Sequence, residues 1–218
     1  MKKTNLILCL LLTVTSISFA QNEDTELWTS VELNYKASKK WSFELREMIR
    51  FKEDISVVDQ YYTQGSATYD FMDNFALALG YRFIRKNDNQ GAWQGYENIG
   101  RIQSDLIYKF KTGRWSNGLR FRYQNRKNFT KTDQIQNAIR FKGGTSYNIR
   151  NWKLDPKITY EYFIPDTGFN RYRVTFGTDY KFSKTSRVYL YYSYERKLAG
   201  VDSDIINTIR LKYRFSLK

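Results

Sequence analysis

The sequence contains no histidine and only one cysteine, Cys9, among its 218 residues. Without an imidazole side chain, the histidine-dependent triads and dyads used by many hydrolases cannot form. Cys9 lies in an N-terminal segment that we expect to be removed, so the exported chain would have no thiolate, no disulfide and no cysteine-based zinc site. We therefore predict no catalytic residue, no cofactor and no metal site.

Long apolar runs are also scarce. A basic start, an apolar run at residues 6–14 and small residues before Gln21 make the N-terminus typical of a secretory signal peptide. The apolar run falls short of the roughly 20 residues that a membrane-spanning helix needs, and no second run is long enough. We predict a signal peptide over residues 1–20 and a single domain over residues 21–218.

Proline and glycine are few, with 2 and 12 residues, whereas aromatic residues reach 17% of the chain. Such a chain is too aromatic to be disordered, and its composition favours strands over helices. The mean hydropathy of −0.65 is low for a helical membrane protein. A net charge of +14 favours anionic partners, although the position of the charges decides which partners can reach them.

Residues 118–126, GLRFRYQNR, alternate arginine with bulky apolar side chains. A period of two predicts a strand with one apolar and one cationic face. The same alternation recurs in eleven segments of the chain after residue 26. Either the apolar face is buried in a soluble protein that offers arginine to nucleic acid, or it faces lipid and the arginines face a lumen.

Aromatic residues of the apolar face decide between these two arrangements, because they gather at both ends of the segments. One set borders short connections: Tyr35, Trp41, Phe71, Phe75, Phe110, Trp115, Tyr147, Trp152 and Phe182. A second set borders longer ones: Phe51, Tyr61, Phe83, Tyr123, Tyr160 and Tyr162. Two such bands are typical of membrane barrels. Lipid then meets the aromatic face, and closure is required because every backbone group in lipid needs a partner.

The resulting fold prediction is all-β: an antiparallel transmembrane β-barrel of about 10–12 strands in the outer membrane of a Gram-negative cell. Short periplasmic turns are expected at 36–40, 72–74, 111–114, 148–151 and 183–186. Longer extracellular loops are expected at 52–58, 86–93, 128–133, 164–169 and 198–203. Ten strands after residue 40 satisfy the even count of bacterial barrels. Residues 21–35 are then an extra strand, a lumenal segment or half of a missed pair.

Ten charged side chains on the inward face are our candidates for the lumen lining: Arg46, Arg82, Arg101, Arg120, Arg122, Arg140, Arg173, Arg210, Glu44 and Glu161. They admit two interpretations. A basic lining attracts anionic solutes, whereas arginine–carboxylate pairs can instead fill a narrow barrel as a plug. The first predicts porin-like passive transport and the second a structural role.

Two other functions stay open at this point. A lipid- or lipopolysaccharide-modifying enzyme without histidine could use carboxylates such as Glu44 and Glu161, or a serine with a lysine. A soluble basic β-protein could bind nucleic acid, although its cations would form one patch rather than occur on every strand. We expect a non-enzyme whose partners are outer-membrane lipid and an anionic solute or lipopolysaccharide, with no nucleic acid.

Glu47 breaks the alternation, because it falls on the apolar face between Leu45 and Ile49. A carboxylate facing lipid is unfavourable, so we favour a β-bulge near Glu47 that shifts the phase over a functional intramembrane carboxylate.

Three stretches resemble the bacterial "domain of unknown function 2490" family of exported proteins: ELWTSVELNYKASKKWSFELREMIRF (26–51), ALALGYRFIRK (76–86) and IRLKYRFSLK (209–218). The resemblance covers the whole chain after the predicted signal peptide. It implies an outer-membrane barrel with no assigned activity, and it supplies no catalytic residues.

Overall fold

The computed structural model describes residues 23–89, 95–131, 135–198 and 205–217. Within these ranges eleven strands close into one barrel, which confirms the all-β prediction and its range of 10–12 strands. The strands are β1 (Glu23–Lys36), β2 (Trp41–Lys52), β3 (Val57–Met72), β4 (Phe75–Asp88), β5 (Gly95–Thr112), β6 (Trp115–Asn128), β7 (Ile135–Tyr147), β8 (Lys157–Pro165), β9 (Arg171–Lys181), β10 (Ser186–Lys197) and β11 (Ile205–Leu217). The predicted signal peptide lies outside the described residues, among which no helix is both long and apolar enough to cross a membrane.

Consecutive strands pair antiparallel, but β1 pairs with β11 in parallel, from Glu23 opposite Ile205 to Tyr35 opposite Leu217. When strands alternate in direction, the first and last of an odd number run the same way and can close only by a parallel ladder. The prediction of a wholly antiparallel barrel was wrong at this seam. Residues 23–36, whose role was open in the sequence, form the strand that makes the count odd.

The connections form two rims. The turn rim contains residues 37–40, 73–74, 113–114, 148–156 and 182–185. The loop rim contains residues 53–56 and 166–170 and, among the described residues, also 89, 129–131 and 198. Two predicted connections were wrong in length. The first connection of the loop rim shrinks to four residues, and the short turn predicted at 148–151 is a longer segment.

That longer segment, 148–156, holds Trp152, which was expected to border a short turn at the end of a strand, and the apolar Leu154 two residues later. Asp155 accepts hydrogen bonds from the Ile149 backbone N–H (3.2 Å) and the Asn148 side chain (3.4 Å), which folds the segment on itself. Pro156 has no N–H to donate to a ladder. The two-residue spacing of apolar side chains is therefore the pattern of a strand in a segment that forms none.

The outer wall is apolar, and its aromatic rings touch from strand to strand. Near the turn rim, ring centroids lie 4.8 Å apart for Trp41 and Tyr69, 4.6 Å for Phe75 and Tyr108, and 4.7 Å for Trp115 and Tyr147. Near the loop rim, Tyr61 lies 5.7 Å from Tyr96. Between the bands, aliphatic side chains such as Leu79 (60% exposed) and Leu119 (53% exposed) point outward.

Glu47 stands on this outer wall, so the bulge predicted near it was wrong. Its strand keeps an uninterrupted register with β3, in which Leu45 faces Gly65 and Glu47 faces Thr63. The register shifts only between Arg50 and Phe51, too late to turn Glu47 inward. Its carboxylate accepts a hydrogen bond from the Thr63 hydroxyl at 3.0 Å.

One carboxylate ties the parallel seam together. Glu32 of β1 is fully buried, and it lies 2.7 Å from Arg46 of β2. On the other side it contacts Arg214 and Lys212 of β11, the latter at 3.5 Å. Glu32 therefore joins β1 to both neighbouring strands, and its charge offsets three cations that converge on it.

We predict that Glu32→Gln lowers the free energy of unfolding by about 3–5 kcal/mol, the usual effect of breaking a buried ion pair from one side. Chemical unfolding of the purified protein in a non-ionic detergent measures this. Glu44→Gln is the matched control, because Glu44 is partly exposed and its one ion pair among the described residues is with Arg46, at 2.7 Å. It should cost about 1 kcal/mol or less. Equal losses in both variants would show that Glu32 has no special role at the seam.

Candidate functional site

Two neighbouring cavities are lined by charged side chains of the described residues. The first, the central chamber, has a volume of about 390 Å³. Its cationic lining among the described residues is Arg46, Arg50, Arg82, Arg101, Arg120, Arg122, Arg126, Arg140, Lys142, Arg171, Arg173 and Arg210. The carboxylates in the same lining are Glu44, Asp105 and Glu161. Twelve cations thus face three carboxylates, and the structure places all ten of the candidate residues in this lining.

The second cavity, the vestibule, has a volume of about 640 Å³ and lies at the turn rim. Its lysines are Lys109, Lys111, Lys142 and Lys157. Ile107, Arg120 and Lys142 line both cavities. A cationic surface therefore extends from the turn rim to the middle of the barrel.

Part of the chamber wall is an ion-pair network centred on Glu161 of β8, which is 3% exposed. Its carboxylate lies 2.7 Å from Arg120, 2.9 Å from Arg140 and 3.6 Å from Arg173. Arg173 also pairs with Glu195 of β10. Cross-strand register produces this alternation, because Glu161 faces Arg173 and Arg173 faces Glu195 on successive strands.

A second buried pair completes this paired wall, as we call the groups around Glu161 and Asp105. The Arg122 guanidinium of β6 donates two parallel hydrogen bonds to the Asp105 carboxylate of β5, at 2.5 and 2.6 Å. Such bidentate pairs are the strongest arginine–carboxylate arrangement. Along this wall the lumen corresponds to the plug interpretation of the sequence.

Five other arginines of the chamber make no ion pair within the described ranges: Arg50, Arg82, Arg101, Arg126 and Arg210. Glutamine takes the place of a carboxylate beside two of them. Arg82 donates to the Gln64 carbonyl oxygen at 2.9 and 2.5 Å, and Arg101 donates to Gln103 at 2.8 Å. An amide accepts these hydrogen bonds but leaves the positive charge in place.

Aromatic side chains inside the barrel hold three of these cations. Trp28 contacts two guanidinium groups, with Arg50 at 3.7 Å and Arg210 at 4.3 Å from its ring centroid. Arg82 lies 3.6 Å from the Tyr62 centroid. Sequence reasoning missed these inner aromatics because it assigned aromatics to the outer wall. The sequence does contain the information, because Trp28 lies four residues before the inward Glu32 and therefore shares its face of the strand.

The carboxylates of the chamber are occupied as ion-pair partners. Glu44 pairs with Arg46, and Glu161 pairs with Arg120, Arg140 and Arg173. In the part of the chain that the structure describes, no three histidine, cysteine, aspartate or glutamate side chains form a group suited to a metal ion. The surface of the chamber is predominantly cationic.

Three solved structures are similar to this barrel. The β domain of the Bordetella autotransporter Brka has a TM-score of 0.52 at 13% identity, covering 84% of this chain and 86% of that chain. A loop L8 deletion mutant of OmpT from Vibrio cholerae has a TM-score of 0.45 at 17% identity, with 84% and 60% covered. The toluene transporter TodX of Pseudomonas putida has a TM-score of 0.41 at 15% identity, with 74% and 61% covered.

At 13% identity the similarity to the autotransporter domain shows the fold alone, which is that of outer-membrane β-barrels. No curated protein matches the sequence. The family described as "Protein of unknown function (DUF2490)" matches residues 25–203, most of the chain. The resemblance seen in the sequence is thus confirmed, and the protein belongs to the DUF2490 family.

Proposed function

We propose that the protein is an outer-membrane barrel, not an enzyme, whose cationic lumen admits small anions by passive transport. The observation that carries this proposal is the ratio of twelve cations to three carboxylates around the central chamber. Cationic linings favour anion entry, because a narrow low-dielectric passage strengthens the field of its fixed charges.

The outer wall supports the membrane location. In β6, Trp115 and Tyr123 belong to the two aromatic bands, and Leu119 lies midway between them. Eight residues at about 3.3 Å each, tilted by about 40°, span roughly 20 Å, close to the apolar band of outer-membrane barrels. We place the turn rim in the periplasm and the loop rim outside the cell, as in such barrels.

The adjacency of the two cavities supports transport over a purely structural role. The lysines of the vestibule lead to the chamber through Arg120 and Lys142, which line both. An anion in the vestibule is therefore attracted by side chains that also line the central chamber. A plug built from balanced ion pairs would not need this surplus of charge.

The other two functions have less support. The carboxylates that a lipid-modifying enzyme would use, Glu44 and Glu161, are held by arginines. Nucleic-acid binding needs cations on an accessible surface, whereas these arginines line a chamber of about 390 Å³. Outer-membrane lipid, including lipopolysaccharide, is the expected surrounding of the outer wall rather than a substrate.

We predict that Leu119→Arg lowers the stability of the barrel in lipid vesicles by about 2–4 kcal/mol, the cost of a cation near the bilayer midplane. Leu217→Arg is the control, because Leu217 lies on the outer wall at the end of β11, next to the turn rim. There the same change should cost about 1 kcal/mol or less. Reversible unfolding in vesicles measures both. Wild-type stability for Leu119→Arg would contradict the membrane location.

Replacement of Glu47 by an apolar residue is predicted to raise the stability of the barrel, the opposite of the effect of Leu119→Arg. Glu47 lies midway between Phe43 and Phe51 on the outer wall, so its side chain is placed in the centre of the apolar band. Glu47→Leu should therefore raise stability in vesicles, although it removes the hydrogen bond from Thr63. The same substitution should give a smaller gain in detergent, where water reaches the wall more easily. A loss of stability in vesicles would show that the carboxylate has a partner there.

Ion selectivity tests the transport proposal. In planar bilayers under a potassium chloride gradient, the wild-type reversal potential should indicate preference for chloride. The double variant Arg120→Gln, Lys142→Gln should lower that preference several-fold, because both side chains line both cavities. A control pair, Lys39→Gln and Lys184→Gln, removes the same charge from the turn rim and should have little effect. A wild-type barrel that inserts without conducting would contradict passive transport.

A further inference from the structure

Three of the unpaired arginines lie side by side across neighbouring strands. Arg82 of β4 faces Arg101 of β5, and Arg101 faces Arg126 of β6. Directly opposite residues of antiparallel strands have Cα atoms about 4.5–5.5 Å apart, and like charges at such positions destabilise a sheet. We call these three residues the arginine row. Strain retained at one place in a fold is typical of functional sites.

Glutamine residues stand where glutamate would neutralise this charge. Gln64 faces Arg82 across β3 and β4, and its buried carbonyl oxygen accepts two hydrogen bonds from that guanidinium. Gln103 accepts from both Arg101 and Arg122. Elsewhere in the lumen the same chain supplies carboxylates, as Asp105 does for Arg122. The positive charge of the row is therefore a local property and not a general consequence of the fold.

Aromatic stacking orients the cations near the row without using their hydrogen bonds. The Arg82 group lies over Tyr62, and Arg50 and Arg210 lie over Trp28. Stacking occupies the flat face of a guanidinium and leaves its in-plane N–H donors available. Aromatic rings thus help to fix these groups in position and leave their positive charge in place. Arg82 donates to Gln64, whereas Arg210 keeps Nε and Nη2 donors without an acceptor among the described residues.

Several guanidinium N–H donors of the unpaired arginines are buried without an acceptor in the described residues. Arg101 is only 8% exposed, and its Nε–H donates to no acceptor. The Nε and Nη2 atoms of Arg210 are likewise buried and unpaired. A buried guanidinium N–H without an acceptor is costly, and native structures contain few such groups. All of these side chains line the central chamber.

We propose that the arginine row, together with Arg50 and Arg210, binds the phosphate group of a small soluble solute in the central chamber. A phosphate offers several oxygens in a tetrahedral arrangement, and guanidinium groups bind it bidentately from different directions. Chloride has one charge and no such geometry, and a carboxylate is flat with two oxygens. The chamber volume of about 390 Å³ is within the range of small-molecule sites.

This inference deepens the proposed function, because it names phosphate-bearing solutes as the anions that the lumen selects. It requires that the solute can reach the lumen. It does not require a conducting pore, since equilibrium binding is measured separately from current. A selective pore without phosphate binding would reject the arginine row as a site and leave the transport proposal standing. Phosphate binding without current would reject the transport proposal and leave the arginine row as a binding site.

The test is unfolding of the purified barrel in a non-ionic detergent, with inorganic phosphate exchanged for chloride at constant ionic strength. Phosphate should raise the unfolding midpoint in a saturable manner, as a ligand of the folded state does. Arg101→Gln should raise the midpoint without phosphate, because it relieves repulsion in the row, and should weaken the apparent phosphate affinity at least tenfold. A residue of purely structural importance would lower the midpoint under both conditions.

Two further variants make the test robust. Gln64→Glu keeps the shape of the side chain and neutralises Arg82, so it should act in the same direction as Arg101→Gln even if that variant folds poorly. Arg85→Gln is the matched control, because Arg85 lies on β4 three residues from Arg82 but is exposed on the outer wall. It should leave the phosphate response unchanged.

Two results would overturn the proposal. The first is equal midpoints in phosphate and chloride at every concentration. The second is a loss of the phosphate response in Arg85→Gln as large as that in Arg101→Gln. Vesicles of anionic phospholipid without added phosphate separate the two sources of the group. If they reproduce the stabilisation, with the same dependence on Arg101, the ligand is a lipid headgroup and the soluble solute is wrong.

Discussion

The edges of β1 and β11 have to pair, because an unpaired strand edge leaves a row of backbone N–H and C=O groups without partners. In hydrocarbon this cost applies to every residue of the strand. Eleven alternating strands leave only a parallel ladder for the closure within the described residues. Glu32 stands at this seam and contacts cations on both sides of β1. The enclosed lumen and the sorting of side chains to its two surfaces depend on that closure.

Once the sheet is closed, its period of two sends apolar side chains out and charged ones in. Buried charges then need compensation, and the lumen shows two solutions. Around Glu161 and Asp105 the arginines have carboxylate partners. Around Trp28 and Tyr62 they have aromatic faces instead. The first solution removes charge from the lumen and the second keeps it, so the positive potential is concentrated on one part of the wall.

The sequence predicted the two surfaces of the barrel well, since alternation alone places Arg120 inside and Leu119 outside. It predicted the closure poorly, because strand number depends on whether residues 23–36 find a partner at the far end of the chain. Ion-pair partners could not be predicted either. Glu161 meets Arg120, which lies two strands away, and such contacts depend on register and tilt as well as parity. Glu47 shows a related limit: the bulge exists, but it lies after Arg50.

Gln64 and Gln103 accept hydrogen bonds from arginines without neutralising their charge, which affects stability and the proposed function in opposite directions. Glutamate would fit the same space and convert a hydrogen bond to a guanidinium into an ion pair, which a buried arginine ordinarily requires. Both positions are almost fully buried, so solvent does not compensate for the missing charge. Retaining an amide there lowers the stability of the isolated barrel and raises the potential of the chamber. Under the proposed function, these two glutamines are therefore both a cost to folding and the source of the positive charge that attracts an anion.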